Sequence, residues 1–197
     1  MEAMAITDIN QLDLNKTYSY ADYLLWQVKE KIELFKGKIL AMSPAPARYH
    51  QKIVGNIHGI LFPIFKGKKC ELYTAPFDVR IPKQDKEDDK IFTVVQPDLS
   101  VICDPEKLDE RGCIGAPDLV IEILSPGNSK KEMDVKFTLY EEAGVLEYWI
   151  VHPTEKVVWI YVLENGRYVT HKPFVEGEFL ISKKFPDLKI NTAEIFE

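Results

Sequence analysis

Glu122 stands inside the apolar run "APDLVIEILSP" (residues 116–126), where Val120, Ile121, Ile123 and Leu124 suit a strand covered on both faces. A carboxylate in that setting is costly to desolvate and needs a compensating partner. A second acid, Asp98, interrupts a similar run in "QPDLSVI". If the two segments are neighbouring strands, about 5 Å apart, their carboxylates can converge. Two close carboxylates repel unless a proton or a cation lies between them. A hard divalent cation, Mg²⁺ or Mn²⁺, satisfies both and keeps positions open for water and a substrate oxygen. Such an ion activates water and stabilises charge on a phosphoryl group.

Other candidates need separate weighing. Asp118 shares a strand face with Glu122, but four extended residues span about 13 Å, too far for one ion to bridge. It follows Pro117 and reads as structural; Asp98 after Pro97 could likewise organise a strand entry. A lysine would add charge stabilisation or orient the water. Lys136 lies beside the apolar stripe Met133, Phe137 and Tyr140 of the next helix, able to extend over the sheet or to snorkel outward. Its position alone favours snorkelling. His50 and His58 lie on one helical segment, but no Cys/His cluster supports zinc. Neither GxxxxGK nor GxSxG occurs.

The elements that must position these residues follow from periodicity. "SYADYLLWQVKEK" predicts a helix capped by Ser19. "IELFKGKILAMSP" predicts two short strands around Lys36–Gly37–Lys38, closed by prolines. Ile53, Ile57, Ile60, Leu61 and Ile64 predict a helix over residues 49–65 that Pro63 ends or kinks. "ELYTAPFDVRIP" and "FTVVQPDLSVIC" each read as one strand, and "DPEKLDERG" as a polar loop. "SKKEMDVKFTLYEEAG" is a helix with a Ser129/Glu132 capping box and a stop at Gly144. Then come strands "LEYWIVH", "KVVWIYVLE" and "RYVTHKPF", turning at Pro153–Thr154 and Asn165–Gly166. The tail predicts one short strand and a helical turn. The aromatic residues Tyr148, Trp149, Trp159 and Tyr161 read as core or interface. The expected fold class is α+β, with a mixed, mainly antiparallel sheet flanked by helices.

At 197 residues the expected organisation is an N-terminal extension (residues 1–17) and a single domain (18–197). A composition that is 46% hydrophobic provides ample core. No apolar stretch is long enough to span a bilayer and the N-terminus lacks signal-peptide character, so no membrane role is expected. Three cysteines without CxxC spacing predict reduced thiols and a cytoplasmic location. The net charge of −6 argues against a protein that merely coats nucleic acid, and confines any such contact to clusters such as Lys66–Lys69 or Lys130–Lys131.

With these residues in place the chain resembles a known family. "QPDLSVI", "GAPDLVIEILSPGNSKKEMDVKFTLYEEAGVLEYWIVHP" and "IELFKGKILAMSP…H" are similar to the Uma2 (Uma-two) family of the PD-(D/E)XK nuclease superfamily. The resemblance covers residues 18–169 and implies a core of helix, three-stranded meander, helix and strand. It implies a metal-dependent endonuclease that hydrolyses DNA phosphodiester bonds with Mg²⁺ (or Mn²⁺). Asp98 and Glu122 would be metal ligands and catalytic acids. Leu124 occupies the usual lysine position, and Lys136 matches a lysine that has migrated to the following helix. Glu33 and His50 match auxiliary positions. Glu132, His152 and Lys38 depart from the family pattern without touching the Asp98–Glu122–Lys136 triad. A homodimer on DNA is the expected assembly. The alternative is a nuclease fold without turnover, kept as a binding or interaction module.

Overall fold

The computed structural model describes residues 6–41, 47–125, 130–170 and 172–197. The expected Ser129/Glu132 capping box, the Lys130–Lys131 cluster and the prolines closing the first hairpin lie outside the described residues and side chains. Helix α1 (Tyr20–Tyr23) opens on Ser19, whose side chain accepts from the Asp22 amide while Asp22 caps in return. It is far shorter than "SYADYLLWQVKEK" predicts. The hairpin β1 (Ile32–Phe35) and β2 (Lys38–Ala41) turns at Lys36 and Gly37, both at positive φ. A Cβ on Gly37 would come 2.3 Å from Thr17 Cγ2, so only glycine fits there. Helix α2 (Arg48–Phe65) buries His50, Ile53, Ile57, Leu61 and Phe65 as one stripe. Pro63 lies within its last turn, and the helix runs on to Phe65.

Two segments predicted as single strands are each divided. "ELYTAPFDVRIP" becomes β3 (Glu71–Thr74) and β4 (Asp78–Arg80), with a cis Ala75–Pro76 bond between them. "FTVVQPDLSVIC" becomes β5 (Val94–Val95) and β6 (Leu99–Ile102), divided at Gln96-Pro97-Asp98. Proline cannot donate to a ladder, which explains why pairing stops at both places. The predicted polar loop holds two further strands, β7 (Leu108–Asp109) and β8 (Gly112–Ile114). Next come β9 (Leu119–Ile123), helix α3 (Lys130–Ala143) and β10 (Glu147–His152). Strands β11 (Val157–Glu164) and β12 (Arg167–Thr170) form the hairpin that Asn165–Gly166 predicts, followed by β13 (Phe174–Val175). The tail is a hairpin, β14 (Phe179–Ile181) and β15 (Lys189–Asn191), and a short helix α4 (Thr192–Phe196), one strand more than expected.

The central sheet has the order β12-β11-β10-β9-β6-β3, with β13 beside β11. Strands β3, β6 and β9 form an antiparallel meander, and α3 carries the chain over to β10, which is parallel to β9. One face, with Leu119, Ile121 and Ile123, packs on α2 and the tail. The other, with Val120, Tyr148 and Ile150, packs on Leu139 and Tyr140 of α3. Both faces are covered, which accounts for the apolar run around Glu122. A second sheet, β2-β1-β5-β4-β8-β7, is built from the first hairpin and the excursions between meander strands. The fold is the expected mixed, mainly antiparallel α+β class with the helix–meander–helix–strand core. Among the described residues no helix is long and apolar enough to cross a membrane.

One expectation is corrected. Cys70 and Cys103 are not reduced thiols; they form a disulfide across β3 and β6, one step beyond the Glu71–Ile102 pair. Spacing in sequence could not reveal this, because it is strand pairing that brings the two together. Cys113 alone is free and buried.

Glu147 supports the sheet from within. It is fully buried and accepts from Trp149 Nε1 at 2.6 Å and from the amides of Lys183 and Lys184 at 2.9 Å each. Glu147→Ala orphans the buried Trp149 indole N–H and releases two part-buried amides, so we expect a loss of about 2 kcal/mol or more, read from urea unfolding. A loss below about 1 kcal/mol would refute this role.

Candidate active site

The β6–β9 ladder ends at the pair Leu99–Ile121, and one step further places Asp98 opposite Glu122. The break at Pro97 frees Asp98 from regular pairing and lets its carboxylate turn across the strand end. Its Oδ2 accepts from the Ile123 amide at 2.8 Å and lies 3.2 Å from His50 Nε2. His50 is delivered by the buried stripe of α2, in its first turn. His58 lies elsewhere on that helix, stacked on Phe62.

Glu122 meets α3. Lys136 Nζ donates to Glu122 Oε1 at 2.9 Å and to Glu33 Oε1 at 3.2 Å. Lys136 is buried, so snorkelling is not what this side chain does. The most buried side chains of α3 are Lys136, Leu139 and Tyr140, and Phe137 of the predicted stripe packs half-buried against the same core. Tyr140, read as core, donates its hydroxyl to Glu122 Oε1 at 2.7 Å. Glu33 reaches the cluster from β1, and its Oε1 also accepts from the Gln96 amide at 2.9 Å. Sequence reasoning missed Tyr140 and Gln96: a tyrosine on an apolar stripe and a glutamine beside a proline carry no distinctive signal. Asp118 stands at the far end of β9, accepting from the Cys103 amide at 2.7 Å, apart from the Glu122 cluster.

The electrostatics follow from burial and neighbours. Burial pushes the Glu122 carboxyl up to about 7, against the pull of Lys136 and with the help of Asp98 and Glu33. Burial works against the Lys136 charge, but Glu122 and Glu33 outweigh it and hold its pKa well above the ordinary value. Burial also opposes the charge on His50, and Asp98 reverses the balance and raises its pKa.

Among the described residues no group of three or more His, Cys, Asp or Glu side chains could hold a metal ion. The facing acids Asp98 and Glu122 are an all-oxygen set, and both donors to Glu122 among the described residues take Oε1. A Mg²⁺-sized ion needs only one or two carboxylates and keeps several waters. The pair therefore fits a hard, largely hydrated cation.

A meander thus carries facing acids at one strand end, beside a lysine from the crossover helix. The chain belongs to the Uma2 family, described as "Putative restriction endonuclease", whose pattern matches residues 20–193. It is similar to an uncharacterized protein of Synechocystis sp., with 29% identity over 143 residues and 71% of each chain covered. Its fold is similar to a crystal structure titled as a putative nuclease belonging to DUF820 from Anabaena variabilis. That match has a TM-score of 0.70 at 20% identity, over 91% of this chain and 97% of the other.

Proposed function

We propose that the protein is a metal-dependent endonuclease that hydrolyses DNA phosphodiester bonds with Mg²⁺ or Mn²⁺. The observation that carries this reading is the buried Lys136–Glu122 pair with Asp98 across the strand end. Asp98 and Glu122 would hold the ion, with the Ile123 carbonyl as a further oxygen ligand. When bound, the ion supplies Lewis-acid stabilisation of phosphoryl charge and an acidified water. Lys136 orients the attacking water or stabilises charge developing on the phosphate. Glu33, fixed by the Gln96 amide, and Tyr140 hold Lys136 and Glu122 in register. The direct test is Mg²⁺-dependent cleavage of plasmid and oligonucleotide DNA.

Metal affinity carries a pH signature. In the metal-free protein the Glu122 carboxyl is raised to about 7, so a proton must leave before it can ligate. Mg²⁺ affinity, measured by calorimetry, is expected to rise with pH up to and through about 7, with proton release on binding. Asp98→Asn should abolish that binding. A pH-independent affinity, or binding unchanged by Asp98→Asn, would remove these two ligands from the proposal.

A second reading, a nuclease fold serving as a binding module, is favoured by the net charge of −6, which weakens attraction to phosphate. Absence of Mg²⁺ and Mn²⁺ binding in the same calorimetry selects it. For assembly we propose a two-fold pair, using exposed apolar side chains such as Val169, Val175 and Phe179. Sedimentation showing only monomer at micromolar concentration would refute that.

A further inference from the structure

A second cavity opens beside the site, with a volume of about 490 Å³. Its walls include Tyr73, Phe77, Asp78, Gln96, Asp109 and Arg111. Gln96 is shared by the two sites: its backbone amide holds Glu33, while its side-chain amide donates to Asp78 Oδ1 at 2.8 Å. The Tyr73 and Phe77 rings are stacked, 4.2 Å apart and nearly parallel at 11°. Both are half-buried and lie at the junction where the chain passes from the central sheet to the second one. At Gly112 a Cβ would come 2.2 Å from the Asp78 carbonyl oxygen, so β8 approaches β4 as closely as backbone allows and the floor is rigid.

The lining excludes a phosphate. Asp78, Asp109 and Glu110 contribute three carboxylates, of which Asp109 is held by Arg80, and the one cation among the lining residues, Arg111, is already paired with Asp88 at 2.6 Å. What suits stacked rings with carboxylate acceptors is a flat, neutral ring bearing N–H donors. The Asp78 carboxylate accepts from Tyr20 and Gln96 and keeps lone pairs for another donor. We infer that this cavity receives one nucleobase with an amino edge, extending the Tyr73–Phe77 stack and donating to Asp78, and so selects which phosphate reaches Lys136. The proposal deepens the nuclease reading and rests on it for the purpose of the pocket; base occupancy itself does not require cleavage.

The test uses the full chain in EDTA and a short single-stranded oligonucleotide in which each base in turn is replaced by an abasic site. Affinity is read by fluorescence anisotropy. For the wild type, one position is expected to lose about tenfold in affinity when its base is removed. Phe77→Leu keeps apolar bulk but removes the stacking ring, and should flatten that profile. Phe77→Trp should restore it. Thymine at the sensitive position, which stacks but carries no amino group, should bind more weakly than adenine or cytosine there, and Asp78→Asn should relax that discrimination. A flat profile for the wild type, or one unchanged by Phe77→Leu in a folded variant, overturns the proposal. Cleavage in Mg²⁺ is scored separately. Cleavage with a flat profile leaves the nuclease reading and removes the pocket, whereas a sensitive position without cleavage does the reverse.

Discussion

Glu122→Gln is expected to reduce Mg²⁺-dependent DNA cleavage by roughly a thousandfold or more while leaving the protein folded. The metal's contribution to phosphoryl charge is worth several kcal/mol, and each ~1.4 kcal/mol is a factor of ten in rate. Glutamine keeps the size of the side chain but removes the anion that would ligate. Lys136 keeps its second partner, Glu33 at 3.2 Å, so no buried charge is stranded. The stability loss should therefore stay below about 2 kcal/mol, the scale of one or two altered hydrogen bonds. Glu122→Ala should be equally inactive but less stable, because it also leaves a cavity and orphans Tyr140. Matched cleavage assays and urea melts separate the two effects. A folded Gln variant with wild-type activity would show that the measured activity arises elsewhere.

Lys136→Met is expected to cost both activity and stability, and the second cost should depend on pH. Removing one member of a buried ion pair typically destabilises by about 3–5 kcal/mol, because an uncompensated charge stays behind. Here two would remain, on Glu122 and Glu33, both buried. Lys136 lowers the Glu122 pKa, so its loss should carry that carboxyl above about 7. The sign then follows. An acid whose folded pKa exceeds its unfolded one contributes stability below the unfolded value of 4.5, and loses it as pH rises through the folded value. Denaturant melts should show a small deficit near pH 4.5 and the full deficit above pH 8. Cleavage should fall by about 10²–10³, the usual effect of removing one charge-stabilising donor. Lys136→Arg should not rescue it, since a planar guanidinium is a poor substitute for a buried ammonium on two carboxylates. An equal deficit at both pH values would mean that the carboxylates are not what the lysine compensates.

Those parts of the protein whose signals are local can be read from the chain alone. Glu122 betrays itself because a charged residue inside "LVIEIL" has no stable place without a partner, whatever the fold. The Asn165–Gly166 and Lys36–Gly37 turns were legible because their backbone conformations favour those residues. The stripe of α2 was legible because one turn of helix repeats it. Asp98 and Lys136 are open readings on sequence alone, the lysine leaning towards solvent, and it is the family resemblance that raises both. Convergence, by contrast, is a property of the folded chain. Glu33 lies 103 residues from Lys136 and meets it because β1 pairs with β5, on the same chain excursion that ends at Gln96. Lys136 is buried because β9 and β1 bring Glu122 and Glu33 to it, and periodicity alone does not decide whether a long side chain bordering an apolar face turns inward or outward. The divisions at Ala75–Pro76 and Gln96–Pro97 escaped the pattern because apolar alternation continues through both, while the two halves serve different sheets. Cys70 and Cys103, 33 residues apart, were paired by strand register. Sequence carries the chemistry of each side chain; distance between remote side chains is set by the sheets and by the one helix that crosses them.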